Sequence, residues 1–340
     1  MKTLLFVGSH YQIGQQIGRK YRTMINRFIR PKLPIIQPRM NEISEYYRIT
    51  QTYYPQYLEE IKGFASGAHI DSRALFAIMC TEFWYGCTDI VVPHTHASHG
   101  RTILVHTNDE TADKQPYTLI FRIKAPDEPE LLLITTAGII IDAAINAQGV
   151  CYTGNYLASN ENALAGVPRS IFYRALIGSH SLDHVLWMTQ HIPRVSSENY
   201  VITTKKTQLN IECSAKQCIS TRVEDIYVHT NHFLAPSLDQ YYRSWDGINN
   251  SKTRLVRVNK LLSDLGKKNQ LTLEHLMSLI KDHGGHNVGS AICRHTIQST
   301  TQFSLIMEFE TNRIIVGIGN PCDNNFVEID HSFIQESHRD

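Results

Sequence analysis

The sequence predicts an α+β fold in which stacked sheets are covered by helices, and three observations carry that expectation. The first 86 residues repeat apolar side chains at helical spacing. At Tyr85-Gly86-Cys87 the texture changes, and to about Val223 the chain reads mostly as strands rich in β-branched and aromatic residues. The last third then returns two helical stretches followed by a strand pair.

Taken in order, Ile13, Ile17, Tyr21, Ile25 and Phe28 mark a helix over Tyr11 to Ile29, which Pro31 and Pro34 end. Helices are expected from Arg39 to about Ile49 and from Tyr57 to Ala65, and Asp71-Ser72 caps a short apolar one, Ala74 to Cys80. Strands follow at Thr88 to Val92, Thr102 to His106, Tyr117 to Ile123, Leu131 to Thr136, Ile139 to Asn146 and Val150 to Tyr156. After helical segments at Pro168 to Ile177 and Leu182 to His191, further hairpin strands span Asn199 to Thr204, Gln208 to Cys213 and Cys218 to Arg222. The end holds helices at Lys252 to Leu265 and Thr272 to Asp282. Strands at Thr300 to Glu310 and Arg313 to Ile318 follow, around a Thr311-Asn312 turn.

At 340 residues the chain is long enough for one large domain with an appendage, or for two. Its 33 Lys+Arg nearly cancel its 32 Asp+Glu, which argues against a nucleic-acid partner held by charge. The longest apolar candidate, Leu131 to Ile145, is interrupted by Thr135, Thr136, Gly138 and Asp142, so no membrane partner is expected. Met1 to Gly8 imitates a signal peptide only briefly before His10, Gln12, Gln15 and Gln16, and a cytoplasmic location is expected. Seven scattered cysteines without a C-x-x-C pair argue against a disulfide framework or a structural zinc site, and most are expected as buried thiols.

One cysteine stands apart. Two strand-like runs flank the loop Pro93 to Arg101, and a hairpin centred near Ala97 brings residue 107 or 108 opposite Cys87. Thr107-Asn108-Asp109-Glu110 then lies beside the thiol. Were the Gly86–Cys87 bond broken, Cys87 would present a thiol and an α-amine, with reference pKa values of ~8.5 and ~7.7–8.0, close enough for one to serve the other as base. A carboxylate would orient that amine, and amide groups would hold an oxyanion. Glycine before the cysteine permits the backbone distortion that attack on its own carbonyl requires. The bland alternative is a core cysteine that starts a strand.

Nearly the whole chain resembles the autoproteolytic acyltransferase family of N-terminal-nucleophile hydrolases. The family includes isopenicillin-N acyltransferase and enzymes that hydrolyse β-alanyl amides. Gly8-Ser9-His10-Tyr11-Gln12-Ile13-Gly14, Glu60-Ile61-Lys62-Gly63-Phe64-Ala65-Ser66-Gly67, Gly86-Cys87-Thr88 and His106-Thr107-Asn108-Asp109-Glu110 carry the likeness in the first half. Ala137-Gly138-Ile139, Asn146-Ala147-Gln148-Gly149-Val150, Val228-His229-Thr230-Asn231-His232, Ile292-Cys293-Arg294-His295 and Gly319-Asn320-Pro321-Cys322 continue it in order.

The resemblance implies a four-layer αββα sandwich of two antiparallel sheets with an N-terminal helical segment. Residues 1–86 would be one subunit and 87–335 the core of the other, separated by self-cleavage between Gly86 and Cys87 and held together by packing. Cys87 would be the nucleophile, Asn231 the side-chain oxyanion donor, Asn155 a further contributor, and Arg294 a cation near the thiol. The family's Asn-x-Asp becomes Asn108-Asp109-Glu110 here. Strict register selects Glu110 and a one-residue slip selects Asp109, and alternation lets only one of the two reach the site. The implied activity is hydrolysis of a linear amide through a thioester. Acyl transfer to an amine, with acyl-coenzyme A as one donor, is the alternative, and an uncleaved non-catalytic homologue is a third reading. No cofactor and no metal are implied. The expected partners are a small-molecule amide or acyl donor and the chain's own N-terminal fragment, with a homo-oligomer left open.

The remaining chemistry-bearing residues have plainer explanations. His94, His96 and His99 suit a solvated hairpin tip, and His283 and His286 flank Gly284-Gly285 at a helix end. His232 and His295 adjoin the motifs without a required role. Cys293 lacks the preceding glycine and the following hairpin, so a packed thiol is expected, and Cys80 belongs to the core. Tyr241, Tyr242 and Trp245 suit a substrate mouth or aromatic packing equally, and Lys267-Lys268 suits an exposed turn.

Overall fold

The computed structural model describes all residues except 37–38, 82–85, 161–164, 244–246, 267–269, 286–287 and 335–340, so Trp245, His286, Lys267 and Lys268 lie outside the described residues. The chain opens with β1 (Leu4–Val7), where the sequence imitates a signal peptide; β1 instead pairs in parallel with β4 (Thr118–Lys124). The helix expected over residues 11–29 is two, α1 (His10–Lys20) and α2 (Arg22–Ile29). The break falls at Tyr21, whose ψ of 20° leaves the helical region. Ser9 caps α1 in a reciprocal pair with Gln12. Next come α3 (Leu33–Ile36), α4 (Met40–Tyr53), α5 (Pro55–Ala68) and α6 (Ser72–Thr81).

Alternation along the strands builds the layers. One sheet runs β1, β4, β5 (Leu131–Thr136), β6 (Ile140–Asn146), β7 (Cys151–Tyr156), β8 (Glu198–Thr203), β9 (Gln208–Cys213) and β10 (Cys218–Arg222). The other runs β11 (Tyr227–His229), β2 (Gly86–Val92), β3 (Ile103–Glu110), β13 (Ser299–Glu308), β14 (Arg313–Ile318) and β15 (Phe326–Ile329), with β12 (His295–Thr296) on β13. Apart from β1–β4, the strand pairs in both are antiparallel. Alternate positions such as Val91 of β2 and Leu104 of β3 join Leu132, Ile134, Cys151, Phe303 and Leu305 in the core between the sheets. Their neighbours Ile90, Val92, Ile103 and Val105 face the other way, onto α9 (Ile248–Gly266) and α10 (Leu273–Leu279). The N-terminal helices, with α7 (Arg169–Ile177) and α8 (Leu182–His191), cover the outer face of the first sheet. The four layers are therefore helix, sheet, sheet, helix.

The thiol expectation fails at Cys213 and Cys218, which form a disulfide. They are direct cross-strand partners at the end of the β9–β10 hairpin, so folding delivers the two sulfurs to each other whatever their sequence pattern. Among the described residues, no helix is long and apolar enough to cross a membrane.

A buried ion cluster fastens the N-terminal helices to the rest. Glu60 of α5 accepts from Arg174 Nη2 at 3.0 Å and pairs with His10 Nδ1 at 2.8 Å, while Arg174 also reaches Glu128 at 2.7 Å and Tyr57 donates to Glu128 at 2.5 Å. Burial alone would raise the Glu60 carboxyl, but Arg174 and His10 outweigh it and hold the group at about 2.

Candidate active site

Hairpin β2–β3 sets Cys87 directly opposite Asn108 and Gly86 opposite Asp109, within the register expected from the loop length. The thiol therefore shares the inner face with Asn108, whose Oδ1 lies 4.0 Å from Sγ, and with Asp89 two residues on. Asp89 is itself tied across the sandwich to Thr153 at 2.7 Å and along its sheet to His106 at 2.9 Å. Cys87 is 2 % exposed, and burial, followed by the charges of Asp109 and Asp89, pushes its thiol well above the usual range. The arginine that opposes this is Arg169, which is held by Glu198.

The backbone of the same residue sits in a polar cradle. Cys87 N donates to Asn231 Oδ1 at 3.0 Å, and Arg254 donates through Nη1 to the Cys87 carbonyl and to Thr88 Oγ1 (2.7 Å) and through Nη2 to Asn231 Oδ1 (2.7 Å). Two donors converging on one oxygen fix which way the Asn231 amide faces. Its Nδ2 then reaches the Tyr156 carbonyl at 3.3 Å, and its own N–H is anchored by Ser251 Oγ at 2.8 Å. His232 shares that serine at 2.7 Å, and burial lowers its pKa to about 4, which suits a neutral structural imidazole.

The two acids separate as alternation requires. Asp109 lies over Gly86, where a Cβ would stand 3.1 Å from Oδ2, so any side chain before the cysteine would press on that carboxylate. Its Oδ1 accepts from Thr301 at 2.7 Å, while Oδ2 is buried without a hydrogen-bond partner. Burial raises the Asp109 carboxyl against the pull of Arg254 and Arg294. Glu110 points to the other face and pairs with Lys114 at 3.1 Å.

Asn155 comes to the same region. Its strand neighbour Tyr156 is bonded by Asn231, and its Oδ1 accepts from Asn199 at 2.9 Å and pairs with His229 at 2.8 Å. The Asn155 Nδ2 donor is buried without a partner. Arg294 is placed beside Asp109 and Arg254, on whose charges it acts, and its backbone N–H bonds to Thr301. Tyr241 and Tyr242 pack against Leu157, Phe233 and Leu238, the aromatic-packing alternative.

Sequence reasoning missed Arg254 and Arg169. Arg254 had a signal: it falls at i−4 and i−8 from Val258 and Leu262, on the apolar stripe of α9, where a cation needs a buried partner. Full burial lowers its pKa to about 10, with Asp109 the main compensating charge. Arg169 stands at an ordinary helix start and had no signal.

Two facing sheets between helical layers, with a buried cysteine at the start of a strand, are the N-terminal-nucleophile hydrolase fold. A variant of conjugated bile acid hydrolase from Clostridium perfringens aligns with a TM-score of 0.50 at 11% identity, covering 72% of this chain and 93% of that one. The chain belongs to the acyl-coenzyme A:6-aminopenicillanic acid acyl-transferase family, whose model matches residues 96–321, a span that begins after Cys87. Among relatives, the chain is 24% identical to the 40 kDa form of acyl-coenzyme A:6-aminopenicillanic-acid-acyltransferase of Emericella nidulans, over 84% of this chain and 82% of that protein. It is 23% identical to the beta-alanyl-dopamine/carcinine hydrolase of Drosophila melanogaster, over 52% of this chain and about half (54%) of that protein's length.

Proposed function

We propose that the chain is an amidohydrolase of linear amides, with Cys87 as nucleophile after self-cleavage between Gly86 and Cys87. The observation that carries the reading is the cradle at that peptide bond. Asn231 takes the Cys87 N–H, Arg254 holds the following carbonyl, and the Asp109 carboxylate lies over the glycine. In the maturation step Cys87 Sγ attacks the Gly86 carbonyl carbon, the C–N bond breaks, and the nitrogen leaves as the Cys87 amine. Water then hydrolyses the Gly86 thioester, yielding a carboxylate and the free thiol. Residues 1–86 and 87–335 stay together through packing and through the Glu60–Arg174 ion pair.

In turnover the Cys87 amine takes the thiol proton, Sγ attacks the substrate carbonyl, and the same proton passes to the leaving amine. Water next releases the acid. Asn155 Nδ2, a buried donor with no partner, stabilises the oxyanion together with Asn231. Asp109 is the acid that orients the Cys87 amine, since Glu110 faces Lys114. Arg294 supports Asp109 rather than the thiol.

Acyl transfer shares the first half-reaction, and the Emericella relative is named for it. Assays with and without an amine acceptor separate the two, because partition to a new amide at the expense of free acid defeats simple hydrolysis. β-Alanyl amines, after the Drosophila relative, are the first substrates to screen. Intact-mass measurement tests the whole reading: fragments beginning at Met1 and Cys87 support it, and a persistent undivided chain marks a non-catalytic homologue. A cytoplasmic location is also proposed from the sequence. The Cys213–Cys218 disulfide is the observation against it, because such bonds persist in oxidising compartments. Fractionation with thiol trapping decides.

A further inference from the structure

Four side chains outside the Cys87 cluster converge on one point. His283 follows α10, Cys293 and His295 flank Arg294, and Cys322 lies in the turn Pro321–Asp323 after β14. Their ligand atoms all lie within 4.8 Å of one another. His295 Nε2 is 3.3 Å from Cys293 Sγ, 3.3 Å from Cys322 Sγ and 3.2 Å from His283 Nε2. We propose that His283, Cys293, His295 and Cys322 form a structural zinc site.

The distances fit. Zinc bonds of about 2.0–2.1 Å to nitrogen and 2.3 Å to sulfur give a tetrahedron with edges of roughly 3.3–3.8 Å. Hydrogen bonding accounts for the cluster less well, since one ring N–H on His295 can serve only one of its three neighbours. Two thiolates and two imidazoles are a borderline-soft donor set that suits zinc, and four protein ligands close the coordination sphere, which makes the site structural.

The three segments are also fixed by their backbones. The Asp282 carbonyl, next to His283, accepts the N–H groups of Ile292 and Cys293, both at 3.0 Å. Asn320 Nδ2 donates to the Arg294 carbonyl and approaches Cys293 Sγ at 3.8 Å, the kind of outer contact that orients a thiolate ligand. The expectation of a packed Cys293 and a helix-end His283 arises because ligands with 9, 1 and 26 residues between them along the chain match no familiar zinc spacing. The site is independent of Cys87 chemistry, and it clamps the segment on which Arg294 stands.

The test uses the full chain, purified without chelator under reducing conditions and titrated with ZnCl2. About one tightly held zinc per chain is expected by elemental analysis. The Cys293→Ser/Cys322→Ser double variant should lose it. His283→Ala removes an exposed ligand without touching the interior, so it should keep the native circular dichroism and bind zinc at least about tenfold more weakly. With CoCl2, the wild-type chain and Cys87→Ala should both show tetrahedral d–d and thiolate-to-cobalt charge-transfer bands, which Cys293→Ser loses. Failure of the reduced wild-type chain to hold zinc, a Cys293–Cys322 bridge in the peptide map, or undiminished zinc affinity in the folded His283→Ala chain overturns the proposal.

Discussion

At the scale of single residues, the junction depends on charges buried in pairs. Arg254 and Asp109 are both fully buried and face the backbone of Gly86 and Cys87 from the helix side of the sheet. Arg254→Met should destabilise the chain by about 3–5 kcal/mol in denaturant unfolding, because the buried Asp109 loses its main compensating charge. Adding Asp109→Asn should restore part of that loss; strict additivity would show that the two do not interact. Cys87→Ala should abolish both cleavage and turnover, and cleavage that survives would remove this thiol from the chemistry. In the cleaved enzyme Asp109→Asn should slow turnover by about a hundredfold or more while Glu110→Gln changes it little, read by the rate of amide hydrolysis. The reverse order would return the role to Glu110. The placing of Cys87 opposite Asn108 was legible because the loop length sets the hairpin register. The choice between Asp109 and Glu110 was not, since a shift of one residue exchanges the two faces of a strand.

At the scale of elements, α1 and α5 cross so closely that glycines are obligatory. A Cβ on Gly14 would stand 2.0 Å from the Glu60 carbonyl oxygen, and one on Gly63 would stand 2.0 Å from that of Tyr11. In an exposed helix, Gly→Ala stabilises by about 1 kcal/mol. Gly63→Ala here should instead cost about 1–3 kcal/mol or more, because two backbones must separate, and a raised melting temperature would refute the contact. The strands and most helices were readable from periods of 2 and 3.6. The short edge strands β1, β11 and β15, of three or four residues each, were not, because periodicity needs more length to register.

At the scale of the molecule, the Glu60 cluster makes the attachment of the N-terminal helices depend on pH. The Glu60 carboxyl is lowered from 4.5 to about 2, so its contribution is complete above about pH 4.5 and is lost as pH falls through about 2. For His10, burial would lower the pKa, but the hydrogen bond and charge of Glu60 raise it above 6.5. Its contribution is therefore complete below about pH 6.5 and fades as pH rises through the raised value. Melting temperatures should show both contributions in full between about pH 4.5 and 6.5. Glu60→Gln should cost about 3–5 kcal/mol between about pH 4.5 and 6.5, flatten the acid limb and erase the decline on the alkaline side. An unchanged alkaline limb would detach His10 from the effect.

By itself the sequence determined the order of the elements, the α+β sandwich and the hairpin that puts Cys87 opposite Asn108, because hydrophobic period and loop length are local properties of the chain. Only the tertiary structure decided which face each acid took, that Arg254 of α9 and Asn231 meet at the Cys87 backbone, that Cys213 and Cys218 join, and that His283 and Cys322 reach Cys293. Those meetings span up to 167 residues of chain. They are set by how the layers pack, and no short-range pattern encodes them.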